Sequence, residues 1–244
     1  MRYFIEFAYD GSSFFGYQIQ PNQISVQEEL EKALSTILRE PIKTTGAGRT
    51  DTGVHAKKMF AHFETDQNFG ENLVYQLNSF LPESIAIKRI FPVSGDMHAR
   101  FSATFRTYEY YISQKKDPFS AHSSWQTWRQ KPLNIDAMNY ACKILLEYED
   151  FTSFAKLHTD NKTNICKIYK AEWEQIGSHL KFTISADRFL RNMVRAIVGT
   201  MVEIGTGKLQ PNDLRKIIED QSRNSAGVSA PAQGLFLVDV GYDF

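Results

Sequence analysis

One order of signals, strand-helix-strand-strand-helix-strand, fills the first part of this chain and recurs in longer pieces afterwards, and it constrains the fold more than any other feature. Arg2 to Tyr9 alternates as a half-buried strand does, with Tyr3, Ile5, Phe7 and Tyr9 on one face. Asp10-Gly11-Ser12-Ser13 then supplies the residues of a turn. Ser25-Val26-Gln27-Glu28 is a capping box, in which serine accepts from a new helical amide and glutamate reaches back. Behind it Val26, Leu30, Ala33, Leu34, Ile37 and Leu38 recur at helical spacing as far as Pro41. Strand signals follow at 42–45 and 57–64, a short helix at 73–80 and a further strand at 84–93. Later, 101–113 reads as a long strand rich in Tyr and Phe, and 135–148 as a helix. Segments 165–175 and 180–185 make a hairpin about Gly177-Ser178, then helices at 188–204 and 211–220 precede a last strand at 234–240.

The expected class is therefore α+β: two ferredoxin-like, or RRM-like, halves sharing an antiparallel sheet. The division falls at 1–97 and 98–244, with no Pro-rich or Ser-rich linker between. Halves joined so directly should pack as a unit around a central active-site cleft.

Charge at first argues against a polyanionic partner, since 28 Lys and Arg balance 28 Asp and Glu. The balance hides a regional difference. Residues 151–195 carry eight basic side chains against four acidic ones, so a basic face is compatible with neutrality. Ordinary scatter of surface charge explains the same counts. A membrane span is excluded, because the longest apolar stretch, near Ile197–Val202, is interrupted by Gly199 and Thr200. Glu6 and Asp10 stand where a secretory leader needs an apolar stretch. Cys142 and Cys166 form no CxxC pair, and together these features point to a reducing cytoplasm.

Chemistry concentrates in Gly46-Ala47-Gly48-Arg49-Thr50-Asp51-Thr52-Gly53-Val54-His55-Ala56, between two strand signals. Three glycines in eight residues permit backbone angles that side chains forbid and let a ligand come close. Gly48 and Gly53 have the spacing of a phosphate loop, but Val54-His55 replaces the required Lys-Ser/Thr pair. Gly46-Ala47-Gly48 lacks the third glycine of a dinucleotide fingerprint, and the carboxylate would repel a pyrophosphate. What remains is one acid, Asp51, beside Arg49: either a reactive carboxylate or a hairpin ion pair.

The run Gly48 to Ala56 resembles the catalytic-aspartate motif of the TruA-type tRNA pseudouridine synthases. The resemblance extends nearly from end to end. It includes Tyr9-Asp10-Gly11 with Phe15-Gly16-Tyr17-Gln18, Ser25-Val26-Gln27-Glu28, and Leu81-Pro82 with Ile85-Ala86. It continues through His98-Ala99-Arg100-Phe101-Ser102-Ala103 with Arg106-Thr107-Tyr108, Met193 to Gly199, and Ala230-Pro231-Ala232-Gln233-Gly234-Leu235. Tyr17 stands where many members carry Trp.

The resemblance implies isomerisation of uridine to pseudouridine at positions 38–40 of the tRNA anticodon stem-loop. The N1–C1′ bond breaks, the uracil turns and C5 joins C1′. No group is lost and no electrons change hands, so no cofactor is expected, and the scattered histidines offer no metal-binding spacing. Asp51 is implied as nucleophile or stabiliser of the sugar cation, Arg195 as its ionic partner, and Tyr108 as the side chain against the uracil and base at the last proton transfer. A guanidinium 4 Å from a carboxylate favours the charged form by roughly 4 kcal/mol at an effective dielectric near 20, against desolvation. Arg49 would hold the phosphate or sugar of the flipped nucleotide.

The residues give a separate reason to look near Arg195. On a helix over 188–204, Arg188, Arg191 and Arg195 fall within about 60° of arc. All would lie in the first two turns, where the helix dipole disfavours cations. A solvated basic stripe is the alternative, but a phosphate or carboxylate partner accounts better for cations placed there. Arg188, Arg191, Lys57, Lys58 and Arg106 are the candidate RNA contacts, with Arg100, Lys162 and Lys167 behind them. His55 should order its loop, and His62, inside a strand, should be structural. The family implies a homodimer with tRNA crossing both subunits. Two other classes stay open on the residues alone: an RNA-binding module without catalysis, and a nucleoside hydrolase, which would normally bring a second carboxylate or a metal.

Overall fold

Alternation in the first strand predicts one buried face, yet β1 (Arg2–Tyr9) is covered on both. Phe4, Ile5 and Phe7 are all inaccessible to solvent. Phe4 meets the rings of Phe60, Phe91, Tyr242 and Phe244, while Phe7 lies beside Tyr17 on the opposite face. Glu6, between them, is buried with its charge paired to Arg89 at 2.6 Å. The computed structural model describes residues 1–156 and 162–244. The chain divides into two units, Met1–Thr104 with Phe236–Phe244, and Phe105–Leu235.

In the first unit the capping box forms as its residues require: Ser25 Oγ accepts from the Glu28 amide at 3.2 Å and starts α1 (Val26–Leu38). The apolar residues of its repeat are buried, Ile37 half-buried, and the helix ends at Arg39 in the left-handed region. The strand signal at 42–45 shrinks to β2 (Thr45–Gly46). Then come β3 (His55–Glu64), α2 (Leu73–Phe80) and β4 (Ile85–Val93). β1 pairs antiparallel with both β3 and β4, and β2 pairs antiparallel with β3. The order β4-β1-β3-β2 is that of a ferredoxin-like sheet. The last strand of the chain, β9 (Leu235–Tyr242), returns here, with Phe236 and Leu237 opposite His55 and Ala56. That pairing is parallel, whereas β1, β2, β3 and β4 pair antiparallel among themselves.

The second unit repeats the theme. β5 (Ala103–Ser113) carries the short β6 (Trp125–Gln126) in parallel and pairs antiparallel with β8 (His179–Ala186), which pairs with β7 (Ile168–Ile176). The helices are α3 (Ile135–Leu145), α4 (Met193–Gly205) and α5 (Asp213–Glu219). One device recurs in the two units. The Asn78 amide on α2 bonds both the N–H and C=O of Ile87 on β4, and Asn139 on α3 does the same to Trp173 on β7. Each satisfies a strand residue's backbone from a covering helix. Both units are thus mixed α+β with mostly antiparallel pairing.

Among the described residues no helix is long and apolar enough to cross a membrane. Cys142 and Cys166 are free and buried, and burial pushes both thiols up, Cys166 to about 12.

Candidate active site

Asp51 sits half-exposed in the loop before β3, and that loop hangs from the segment after β1. The Asp51 carbonyl accepts from Val54 N at 3.1 Å, closing a turn in which Gly53 takes φ +77°. Thr50 is bonded twice: its carbonyl accepts from Tyr17 N at 3.3 Å and its hydroxyl meets the Tyr9 hydroxyl at 2.8 Å. Gly53 N donates to the Phe14 carbonyl at 3.4 Å. Glycines permit this approach. A Cβ on Gly11 would stand 2.0 Å from the Val54 oxygen, and one on Gly16, at φ +91°, 2.5 Å from the Thr50 oxygen. Gly46 likewise lies against the buried Tyr17 ring, where a Cβ would come within 2.4 Å. Sequence reasoning noted the loop's own glycines. It missed Gly11 and Gly16 as the faces that receive the loop, though their place in the turn after β1 was visible.

His55 opens β3 almost wholly buried, 3% exposed, and stacks on Phe236 with ring centres 4.5 Å apart. Its Nδ1 accepts from Gly11 N at 3.1 Å and also lies 3.1 Å from Asp10 Oδ1. Burial raises the Asp10 carboxyl, but bonds from Ser12 and the adjacent His55 outweigh it and hold the group below its usual value. His62 accepts from the Ala99 amide through Nδ1 at 3.1 Å. Burial, then the neighbouring His98 and Arg2, push it down to about 4. Arg49 is exposed on the Asp51 loop.

In the second unit Tyr108 and Tyr110 share a face of β5. Tyr110 is inaccessible and donates to the Pro231 carbonyl at 2.7 Å; burial pushes its phenol up, with the Arg195 guanidinium acting against. Tyr108 is half-buried, edge-on to Phe189 at 5.2 Å. Arg195 lies in the first turn of α4, with no acidic residue there to offset the dipole. It is fixed to the segment before β9: its Nε donates to the Ala230 carbonyl at 2.7 Å, and its own carbonyl accepts from Ala230 N at 2.9 Å. Gly199 and Gly227 let that segment run against the helix, a Cβ on Gly199 standing 1.8 Å from the Val228 oxygen.

The three-arginine stripe does not form. α4 begins at Met193, and Asn192 before it has φ +67°, so Arg188 and Arg191 precede the helix and no common helical face unites them with Arg195. Asp187 Oδ1 instead accepts from the Arg188 and Lys167 amides, and the Arg191 carbonyl accepts from Lys156 N. Arg191 is exposed, and Arg106 donates to the Asp187 carbonyl at 2.9 Å. Lys58 is ion-paired with Asp239 at 2.8 Å, and Lys57 lies over the Phe236 ring. Among the described residues no group of three or more His, Cys, Asp or Glu is placed to hold a metal ion.

A lone carboxylate on a braced loop fits several chemistries, and similarity to known proteins decides among them. A family model described as tRNA pseudouridine synthase matches residues 6–102 and 141–243. The chain belongs to the tRNA pseudouridine synthase family. The tRNA pseudouridine synthase A of Bacteroides fragilis is 54% identical to it over 247 residues, covering 99% of this chain and 96% of that protein. The enzyme of that name from Parabacteroides distasonis is 52% identical over 99% of this chain and 96% of its own length. The one from Bacillus subtilis is 38% identical over the whole of both chains. Pseudouridine synthases are isomerases. Arg49, Asp51 and Arg195 fall inside the matched segments, whereas Arg106 and Tyr108 lie between them.

Proposed function

We propose that this chain converts uridine to pseudouridine at positions 38–40 of the tRNA anticodon stem-loop, with Asp51 as the catalytic group. The observation carrying this reading is the Asp51 loop, a single acid braced by backbone contacts from the 9–17 segment within a family-matched region. Catalysis by a fixed carboxylate depends on such bracing, because small misplacements of a reacting group are costly. Asp51 acts as nucleophile or as stabiliser of the sugar cation while N1–C1′ breaks. After the base turns, C5 bonds to C1′, the C5 proton leaves and N1 regains one. Arg195 supplies the countercharge to Asp51. Tyr108 contacts the uracil and takes the last proton, and Arg49 holds the sugar or phosphate of the extruded nucleotide. Arg188, Arg191, Lys57, Lys58 and Arg106 contact the RNA backbone, Lys58 least because Asp239 already pairs with it. Atoms and electrons balance without a cofactor. The enzyme works in the cytoplasm as a homodimer.

Asp51→Asn keeps the size of the side chain and removes its charge. Pseudouridine formation in unmodified tRNA should cease, with tRNA affinity within a few fold of the parent. Turnover persisting in that variant would sink the assignment.

A further inference from the structure

One ring nitrogen faces both a donor and an acceptor and can bond only one of them at a time. His55 Nδ1 is 3.1 Å from Gly11 N and 3.1 Å from Asp10 Oδ1. Accepting from the Gly11 N–H requires a bare nitrogen; donating to Asp10 requires a proton on it. The other nitrogen, Nε2, is buried with no hydrogen-bond partner among the described residues. A leucine would fill such a place without leaving that polar atom orphaned. Nδ1 is the ring nitrogen with a hydrogen-bond partner.

We propose that His55 is a positioning residue for the reaction, its bare Nδ1 holding the Gly11 turn against the loop that presents Asp51. The inference rests on Asp51 being the catalytic group. The circuit is short. Gly11 abuts the Val54 carbonyl, Val54 N closes the turn on the Asp51 carbonyl, and His55 follows Val54 in the chain. Burial and stacking on Phe236 leave the ring little freedom to follow a displaced Gly11. A proton on Nδ1 redirects its bond to Asp10 and leaves the buried Gly11 N–H without that acceptor. The charged groups around the ring are Asp10 in the turn, which attracts that proton, and Lys57, which opposes it from over Phe236. Arg49 and Asp51 stand on the loop itself.

Asparagine places an amide oxygen close to where Nδ1 lies and cannot be protonated; glutamine carries its amide one carbon too far, and leucine has no acceptor. His55→Leu and His55→Gln should lose about 30- to 100-fold in kcat, with KM for tRNA changed less than about threefold. His55→Asn should recover to within about fivefold of the parent. The Gly11 amide, followed by hydrogen exchange, should be protected in the parent and His55→Asn and exposed in the other two. Asparagine behaving no better than glutamine in equally folded proteins overturns the inference, as does equal Gly11 protection in all variants. Should His55→Leu not fold, the Asn–Gln pair decides. Retained turnover in Asp51→Asn would remove the catalytic reading, while Gly11 protection still reports whether His55 holds the turn.

Discussion

The Asp51 loop and the start of α4 solve one problem, fixing a charged side chain on backbone that leaves regular structure, with different residues. Around Asp51 the departures are made by glycine: Gly53 and Gly16 take positive φ, and Gly11 allows a carbonyl to close in. Before Arg195 the departure is made by Asn192, at φ +67°. Glycine announces such a bend in a sequence. Asparagine tolerates the left-handed region too, but reads as any polar residue on a helix surface. That is why the loop was legible and the helix start was overrun by five residues: Phe189, Leu190, Met193 and Val194 keep helical spacing straight through the break.

The contrast can be broken first at Gly11. Gly11→Ala forces a methyl onto the Val54 oxygen, and the Asp51 loop must shift, so kcat should fall on the order of 100-fold in a tRNA assay. Gly199→Ala meets backbone in the same way, but within the packing of α4. It should cost about 3 kcal/mol in denaturant unfolding. Asn192→Ala keeps no preference for positive φ and loses the 2.6 Å bond to the Ser229 hydroxyl, for about 2 kcal/mol. Asn192→Gly gives up only the bond and should cost about 1 kcal/mol or less. Equal losses in the two Asn192 variants would mean that the side-chain bond, and not the backbone angle, sets the start of α4.

The smallest effect concerns His62, whose folded value of about 4 lies below its ordinary 6.5. Between those values the unfolded chain binds more protons, so stability rises with pH across this window and is lost as pH falls through it. Melting temperature should drop by a few degrees between pH 6.5 and pH 4, and less so in His62→Asn.

Local signals carried much of the fold. β1, α1 and α2 occupy the spans their patterns predict, because alternation, a capping box and a helical repeat are each written within a few adjacent residues. The second face of β1 was not readable, since what covers Phe4 includes Tyr242 and Phe244 from the far end of the sequence. The strand at 42–45 faded for a different reason: Glu31 on α1 takes the Thr44 amide and hydroxyl, diverting that backbone from a ladder. At the site, Asp51 stood out as the lone acid among glycines. The roles proposed for Tyr108 and Arg195 came from the family resemblance: a strand tyrosine carries no local mark of chemistry, and the arginine spacing that pointed toward Arg195 ran across the break at Asn192.

The return of β9 to the first unit has a consequence for biosynthesis. Lys58 and its partner Asp239 are 181 positions apart, and His55 beside Lys58 stacks on a residue of the same late strand. At about 5–20 residues per second, that strand leaves the ribosome roughly 10–35 s after the strand it pairs with. During that interval β3 has no β9 beside it, and the second unit is threaded out first. A nascent chain therefore cannot complete its first unit by folding its domains in order from the N-terminus.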